Sequence, residues 1–301
     1  MSHTATRTRS AATNEIATFG AVHLDVHHAD EQVAFWRDLV GMHVRRQEHD
    51  VVELGTPSET LVTLHLGAQT PFRKGFAGLY HLAVHPLDAA EFARIAARLE
   101  KSGVHIARRD HVMSKAIYLH DPDGMLVEIT LETPERYPDW TVHFEGDSMY
   151  VIDDKGQKRS PSEPLDMREV LAHLPADDPE AKLRTGTKVG HVHFYVGDVP
   201  AAVDFYESLG FTRNTYHPQL GMADLGAGGE FRHRIATNGW MGAGVPQAPA
   251  GTAGLRHFTI RFADQAKLDA ALAKHPEAVP REDGYLLSDP SGNKMVLTRG
   301  T

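Results

Sequence analysis

Three histidines and one glutamate occupy repeated positions where a metal could be ligated. His81, His191 and His257 each precede an aspartate by seven residues, namely Asp88, Asp198 and Asp264. Two Asp-Pro-x-Gly turns, DPDG at 121–124 and DPSG at 289–292, lead into closely similar strands. Aligned on those turns, Glu128 falls where Val296 stands. Imidazole and carboxylate are both metal-ligand groups. A carboxylate present in one copy and absent from the other therefore says where a metal could sit and where it could not. A lone histidine on a strand beside apolar residues is more often a hydrogen-bonded core residue. The repetition, rather than any one histidine, carries the reading.

Composition narrows the rest. The chain has 301 residues, enough for two domains with their own cores. Net charge is −9, which argues against a nucleic-acid surface. The absence of cysteine excludes disulfides, zinc–thiolate sites and cysteine nucleophiles. No apolar run is long enough to span a membrane. Residues 1–15 are polar and lack the apolar stretch of a secretory signal, so a disordered N-terminus and a cytoplasmic location are expected, with a mitochondrial-type presequence as the rival. Of the twenty histidines, His23, His27, His28, His43, His49 and His65 do not follow the repeat and read as surface or strand-packing residues.

The elements that must position these residues form four similar units. Unit one, 19–67, opens on the strand GAVHLDV, continues into a helix over DEQVAFWRDLVGM with Gly41 as its terminator, and closes on strands. Unit two, 78–132, has the strand LYHLAV, the helix DAAEFARIAARLEKSG, then KAIYLH and MLVEITL joined by the DPDG turn. Unit three, 188–240, has VGHVHFYV, Asp198 as helix N-cap, and closing strands MADLG and EFRHRIAT. Unit four, 254–299, has LRHFTIRF, Asp264 as N-cap, and YLLSD and NKMVLT. The expected fold class is α+β: four βαβββ modules, an N-terminal pair over 16–132 and a C-terminal pair over 188–301. Between them, 133–187 reads as a linker with one short helical stretch, DMREVLAHL, draped over a neighbour.

GLYHLAV (78–84), DHVMSKAIYLHDPDGMLVEI (110–129), PLDM (164–167), GHVHFYVGD (190–198), NGWMGAGVPQAPAGTAGLRHFTI (238–260) and EDGYLLSDPSGNKMVL (282–297) together resemble the vicinal-oxygen-chelate superfamily of glyoxalases, extradiol dioxygenases and bleomycin-resistance proteins. The resemblance covers nearly everything after residue 18 and is nearer to the bacterial catechol 2,3-dioxygenase-like tandem proteins. It implies modules paired into two curled mixed sheets with helices outside. The first strand of each partner then gives one metal ligand, and the last strand of one partner gives a glutamate. Register puts a histidine in that slot in units two, three and four, and Ala21 in unit one. Pairing units two and three completes a triad of His81, Glu128 and His191. Pairing one with four leaves Ala21, His257 and Val296, a site without a carboxylate. His193 shares a strand face with His191 and is its nearest rival.

The same resemblance implies an Fe(II)-dependent extradiol cleavage of a catechol-type diol by O₂ to a muconic semialdehyde, with Mn(II) suited to the same ligands. His233 aligns with the acid–base histidine. Tyr118, ten residues before Glu128, aligns with a tyrosine that bonds a substrate hydroxyl. His111 is the candidate for a further histidine, although it precedes Tyr118 by seven residues where about nine is usual. Relatives carry three consecutive histidines where this chain has Arg232, His233 and Arg234. Those arginines would favour an acidic ring substituent if they faced the pocket, but strand alternation favours the solvent face for both. Two other readings stand beside this one: a glyoxalase-like metal lyase or isomerase, and a metal-free drug-binding protein. Paired sheets with exposed edges suggest a homo-oligomer.

Overall fold

The computed structural model describes residues 15–300. The expected disordered N-terminus lies outside those residues except for Glu15, where the expectation fails. Glu15 is buried, with Oε1 2.6 Å from Nη2 of Arg234.

Each unit has one opening strand, one helix and three further strands. In units two, three and four the helix starts at the expected aspartate. Asp88 Oδ1 accepts from the Glu91 N–H, Asp198 from Ala201 and Asp264 from Lys267. Each carboxylate satisfies an N–H that has no partner inside its helix. Unit one has no such residue. Its helix, Ala29–Ala34, is widened into a π-helix over Phe35–Val40 and ends on Gly41 at φ 91°. Its start is held from unit two instead: Asp123, in the DPDG turn, accepts from the backbone N–H groups of His27 and His28 at 2.8 and 3.2 Å. The turn is closed from within, Asp121 Oδ1 accepting from the N–H groups of Asp123 and Met125. Gly124 supplies the left-handed residue at φ 92°.

The units pair across the sequence. The Gly78–His85 strand of unit two runs antiparallel to Lys188–Tyr195 of unit three, with His81 opposite His193 and Ala83 opposite His191. Ala17–Val26 of unit one runs antiparallel to Gly254–Phe262 of unit four, with His23 opposite His257. Each opening strand also lies parallel to the closing strand of its own unit, so Ala83 neighbours Glu128 and Thr259 neighbours Val296. Two large mixed sheets result, of nine and eight strands. Apolar side chains between them form one core, with the Phe194 and Phe258 rings 5.1 Å apart.

Two details depart from expectation. The EFRHRIAT segment becomes a strand only at Ile235–Asn238, so strand alternation does not govern 230–234. Arg232 is exposed, but Arg234 is buried between Glu15 and Glu132. The solvent-face reading is corrected for Arg234, whose charge is neutralised inside the protein. The 133–187 segment is also more ordered than a plain linker. It carries a three-stranded sheet, His143–Glu145, Ser148–Ile152 and Lys158–Arg159, and the helix Met167–Leu171.

Candidate metal centre and substrate cavity

His81 and His191 come from the two central antiparallel strands, and Glu128 from the neighbouring Leu126–Glu132 strand. All three are buried. Their ligand atoms form a triangle: His81 Nε2 to His191 Nε2, His191 Nε2 to Glu128 Oε2, and His81 Nε2 to Glu128 Oε2 are each 3.0 Å. Octahedral bonds of about 2.1 Å at right angles would space neighbouring donors about 3.0 Å apart. Tetrahedral bonds of that length would need about 3.4 Å. Among the described residues, these three form the one histidine–carboxylate cluster close enough to hold a metal ion.

The protonation pattern supports the same use. His85 Nδ1 lies 2.8 Å from Glu132 Oε1, which can only accept, so His85 carries its proton there. Its Nε2 then accepts from His191 Nδ1 at 2.8 Å. His191 is thereby fixed as the Nδ1–H tautomer, with a bare lone pair on Nε2. Lone pairs facing each other at 3.0 Å repel, and a cation between them removes the repulsion. Burial pushes His191 well below its ordinary pKa, keeping it neutral. Burial would raise the Glu128 carboxyl, but His191 and His81 outweigh this and hold it well below the usual range. Neutral imidazole and ionised carboxylate are the forms that bind a metal.

The Glu132–His85 pair was not singled out from the sequence, though a signal existed. His85 is four residues after His81 and Glu132 four after Glu128, so period two puts each on the same strand face as a ligand. The His85 ring also needs Gly190, where an added Cβ would lie 1.9 Å from His85 Cγ. Glu132 accepts in turn from Arg234 at 2.7 Å.

The triad lies on the wall of a cavity of about 530 Å³. His111, Tyr118 and His233 line it as well. His111 Nδ1 lies 2.8 Å from the Pro161 carbonyl and so carries the proton. Its Nε2 therefore accepts from the Tyr118 hydroxyl at 3.0 Å, leaving the phenol oxygen able to accept from a ligand. The short spacing between these residues is bridged by a strained turn, with Val112 at φ 65°. A β-branched residue is rarely found there. It is held by Val112 N–H to Asp110 and by Thr133 Oγ1 to the Val112 carbonyl, both 2.8 Å. Burial, reinforced by Glu128, pushes the Tyr118 phenol well above its ordinary pKa.

His233 precedes the Ile235–Asn238 strand, its ring 4.7 Å from that of His191. Its Nδ1 lies 2.7 Å from Asp224 Oδ2, a buried carboxylate that sequence reasoning missed. Nδ1 is thus the protonated nitrogen, and Nε2 is left for the cavity. His193 lines the cavity outside the triad and accepts from Asn238 Nδ2 at 2.9 Å. In the other sheet the pair of units one and four holds no carboxylate at the corresponding place. His23 stacks on His257, with centroids 4.0 Å apart, and lies 3.0 Å from His65. These two of the histidines read as packing residues thus form a half-buried cluster with the buried His257 slot.

Comparison with known proteins agrees with this architecture. Catechol-2,3-dioxygenase of Bacillus subtilis (strain 168) is 26% identical over 291 residues, covering 94% of this chain and 97% of that protein. A crystal structure of a provisionally assigned Bacillus subtilis dioxygenase superposes with TM-score 0.58 at 15% identity, covering 94% of this chain and 86% of that one. Glyoxalase I from Zea mays superposes with TM-score 0.52 at 16% identity, over 93% and 92%. At these identities the two structures speak to fold alone. No helix among the described residues is long and apolar enough to cross a membrane. The sequence model of the Glyoxalase/Bleomycin resistance protein/Dioxygenase superfamily matches residues 18–129 and 188–297, and the chain belongs to that superfamily.

Proposed function

We propose that the chain is an extradiol ring-cleaving dioxygenase acting on a catechol-type diol with O₂, with Fe(II) held by His81, Glu128 and His191. The observation that carries this reading is that two proton-handling pairs, Tyr118–His111 and His233–Asp224, share one cavity with the triad. The chemistry that bound Fe(II) supplies is electron exchange between an electron-rich diol and O₂. The chain's residues do the rest. Tyr118 oxygen accepts a proton from a diol hydroxyl while its own proton passes to His111 Nε2. His233 Nε2 exchanges a proton with the reacting oxygen, and Asp224 holds the ring through Nδ1. Cleavage beside the diol would yield a muconic semialdehyde. The relative of 26% identity, a catechol-2,3-dioxygenase, points the same way. Mn(II) suits the same donors.

A glyoxalase-like lyase or isomerase would use the same fold, but it has no evident need for a second proton-handling pair at His233. A metal-free binder would have no use for two buried imidazole nitrogens and a carboxylate oxygen converging at 3.0 Å. Elemental analysis of the purified protein, followed by O₂ uptake with catechol, 3-methylcatechol and protocatechuate, separates the three. Bound iron with O₂ uptake is the expected result. Metal without O₂ uptake favours the lyase or isomerase, and absence of metal favours the binder.

A further inference from the structure

The cavity is larger than a dihydroxybenzene needs, and its excess is apolar. Cavities of about 300–1,000 Å³ hold drug-sized ligands, and this one is about 530 Å³. The triad and the two proton-handling pairs supply polar groups, and Arg109, Ser162, Asn214, Thr215 and His217 add others. Much of the remaining lining is supplied by the 133–187 segment, through Trp140, Val142, Met149 and Val151. The matched family regions, 18–129 and 188–297, leave that segment out, so this wall lies in the segment between the two matched regions.

The wall is built to last. Trp140, Tyr137, Val151, Val112 and Phe231 form a small buried cluster apart from the main core. Phe231 packs its ring 5.6 Å from Trp140, tying the 133–187 segment to the stretch that carries His233. Toward solvent the lining includes two large apolar side chains: Met149 and Trp240 are 38% and 50% exposed. Trp240 is anchored there by its Nε1–H to the Leu220 carbonyl at 2.9 Å. Large apolar side chains left uncovered on a concave wall mark where a ligand's apolar surface goes. Charge is sparse. Among the described lining residues Arg109 alone carries a permanent positive charge, and it is exposed, with its Nη1 turned back to the Arg108 carbonyl at 3.0 Å. The arginines flanking His233 do not line the cavity, and Arg234 is already neutralised by Glu15 and Glu132.

We infer that the substrate is a catechol bearing an uncharged apolar substituent about as large as a second ring, seated against Trp140, Met149 and Trp240. This rests on the ring-cleavage reading for the diol and on the 133–187 wall for the substituent. The test has two arms. The first is calorimetric binding under argon to the iron-loaded protein, using catechol, 3-phenylcatechol, 4-phenylcatechol and protocatechuate. The second is O₂ uptake with the same four. A phenylcatechol should bind at least tenfold tighter than catechol, with protocatechuate weakest. Met149→Asn and Trp240→Ala, both at exposed positions, should each shrink the phenylcatechol-to-catechol ratio. Equal binding of phenylcatechols and catechol, or tightest binding of protocatechuate with its loss in Arg109→Ala, overturns the inference and leaves the ring-cleavage reading intact. Tight phenylcatechol binding without O₂ uptake overturns the ring-cleavage reading and supports the apolar seat.

Discussion

His85 Nε2 lies 2.8 Å from His191 Nδ1, so one buried histidine fixes the tautomer of another. The far side of His85 is held by Glu132, and Glu132 by Arg234. The orientation of the proposed metal ligand His191 is thus transmitted through three side chains from two units. Removing a residue that orients a ligand in this way typically lowers metal affinity about 10–100-fold. His85→Ala and Glu132→Gln should each do so while far-UV circular dichroism stays unchanged. An iron titration giving wild-type affinity for both would refute the orienting role.

Gly190 offers an independent handle on the same contact. A methyl group there would sit 1.9 Å from His85 Cγ, inside any tolerable contact. Gly190→Ala should therefore displace His85 and weaken iron binding much as His85→Ala does. The two changes combined should be no worse than one alone. Fully additive losses would show that Gly190 acts by some other route.

The two sheets should respond oppositely to their carboxylate positions. Glu128→Ala should abolish stoichiometric iron. Val296→Glu, in the corresponding place, should gain none, because Ala21 leaves the set incomplete. It should instead lower stability by burying a carboxylate whose nearest partner is His257 alone. Iron content and thermal melts of both variants check this, and retention of full iron by Glu128→Ala would sink the proposed centre.

The two proposed proton-handling pairs should be separable from metal binding. His233→Asn and Tyr118→Phe keep the fold and the triad, so iron content should persist. Turnover should fall about 10²–10⁴-fold in each. Asp224→Asn should reproduce part of the His233 loss, since it acts by holding that ring. Unchanged kcat in His233→Asn, measured with the best diol, would remove His233 from the chemistry.

The His23–His257 stack predicts how acid acts on the fold. Burial, then the neighbouring histidines and Arg256, pushes His23 down to about 3. Burial, then Arg281, brings His257 to about 4. An unfolded chain protonates these rings at about 6.5, so the folded state binds fewer protons below that pH. The stability they contribute is complete above about 6.5 and is lost as pH falls toward about 4 for His257 and about 3 for His23. Each contributes at most on the order of 1 kcal/mol per pH unit, or about 2–4 °C in Tm. Replacing both by His23→Asn and His257→Gln should flatten Tm against pH over that window, while an equally steep profile would contradict the assignment.

The triad was legible because duplication exposed it. His81, His191 and Glu128 occupy repeat positions, and the unequal filling of those positions pointed to units two and three together. Asp88, Asp198 and Asp264 were legible as helix caps because capping is a local interaction. What stayed hidden was non-local. Asp224 is an ordinary strand aspartate until His233 folds beside it. Arg234 looks solvent-facing when strand alternation is run through 230–234, whereas its guanidinium is drawn inside by Glu15 and Glu132 from distant parts of the chain. The 133–187 segment carries no repeat pattern, so nothing in its residues announced a cavity wall.

Every residue lining the cavity falls between Tyr80 and Trp240, while units one and four build the other sheet. If the proposed reaction is under selection, those outer units answer only to folding, whereas the inner units answer to folding and chemistry together. Evolutionary tolerance should accordingly divide the chain between middle and ends rather than between N-terminal and C-terminal halves. Ala21 and Val296 are what such relaxed ends look like. The Asp123 contacts with His27 and His28, with Gln32 on Asp121 and Arg98 on the Leu39 and Val40 carbonyls, keep the first unit attached to the second.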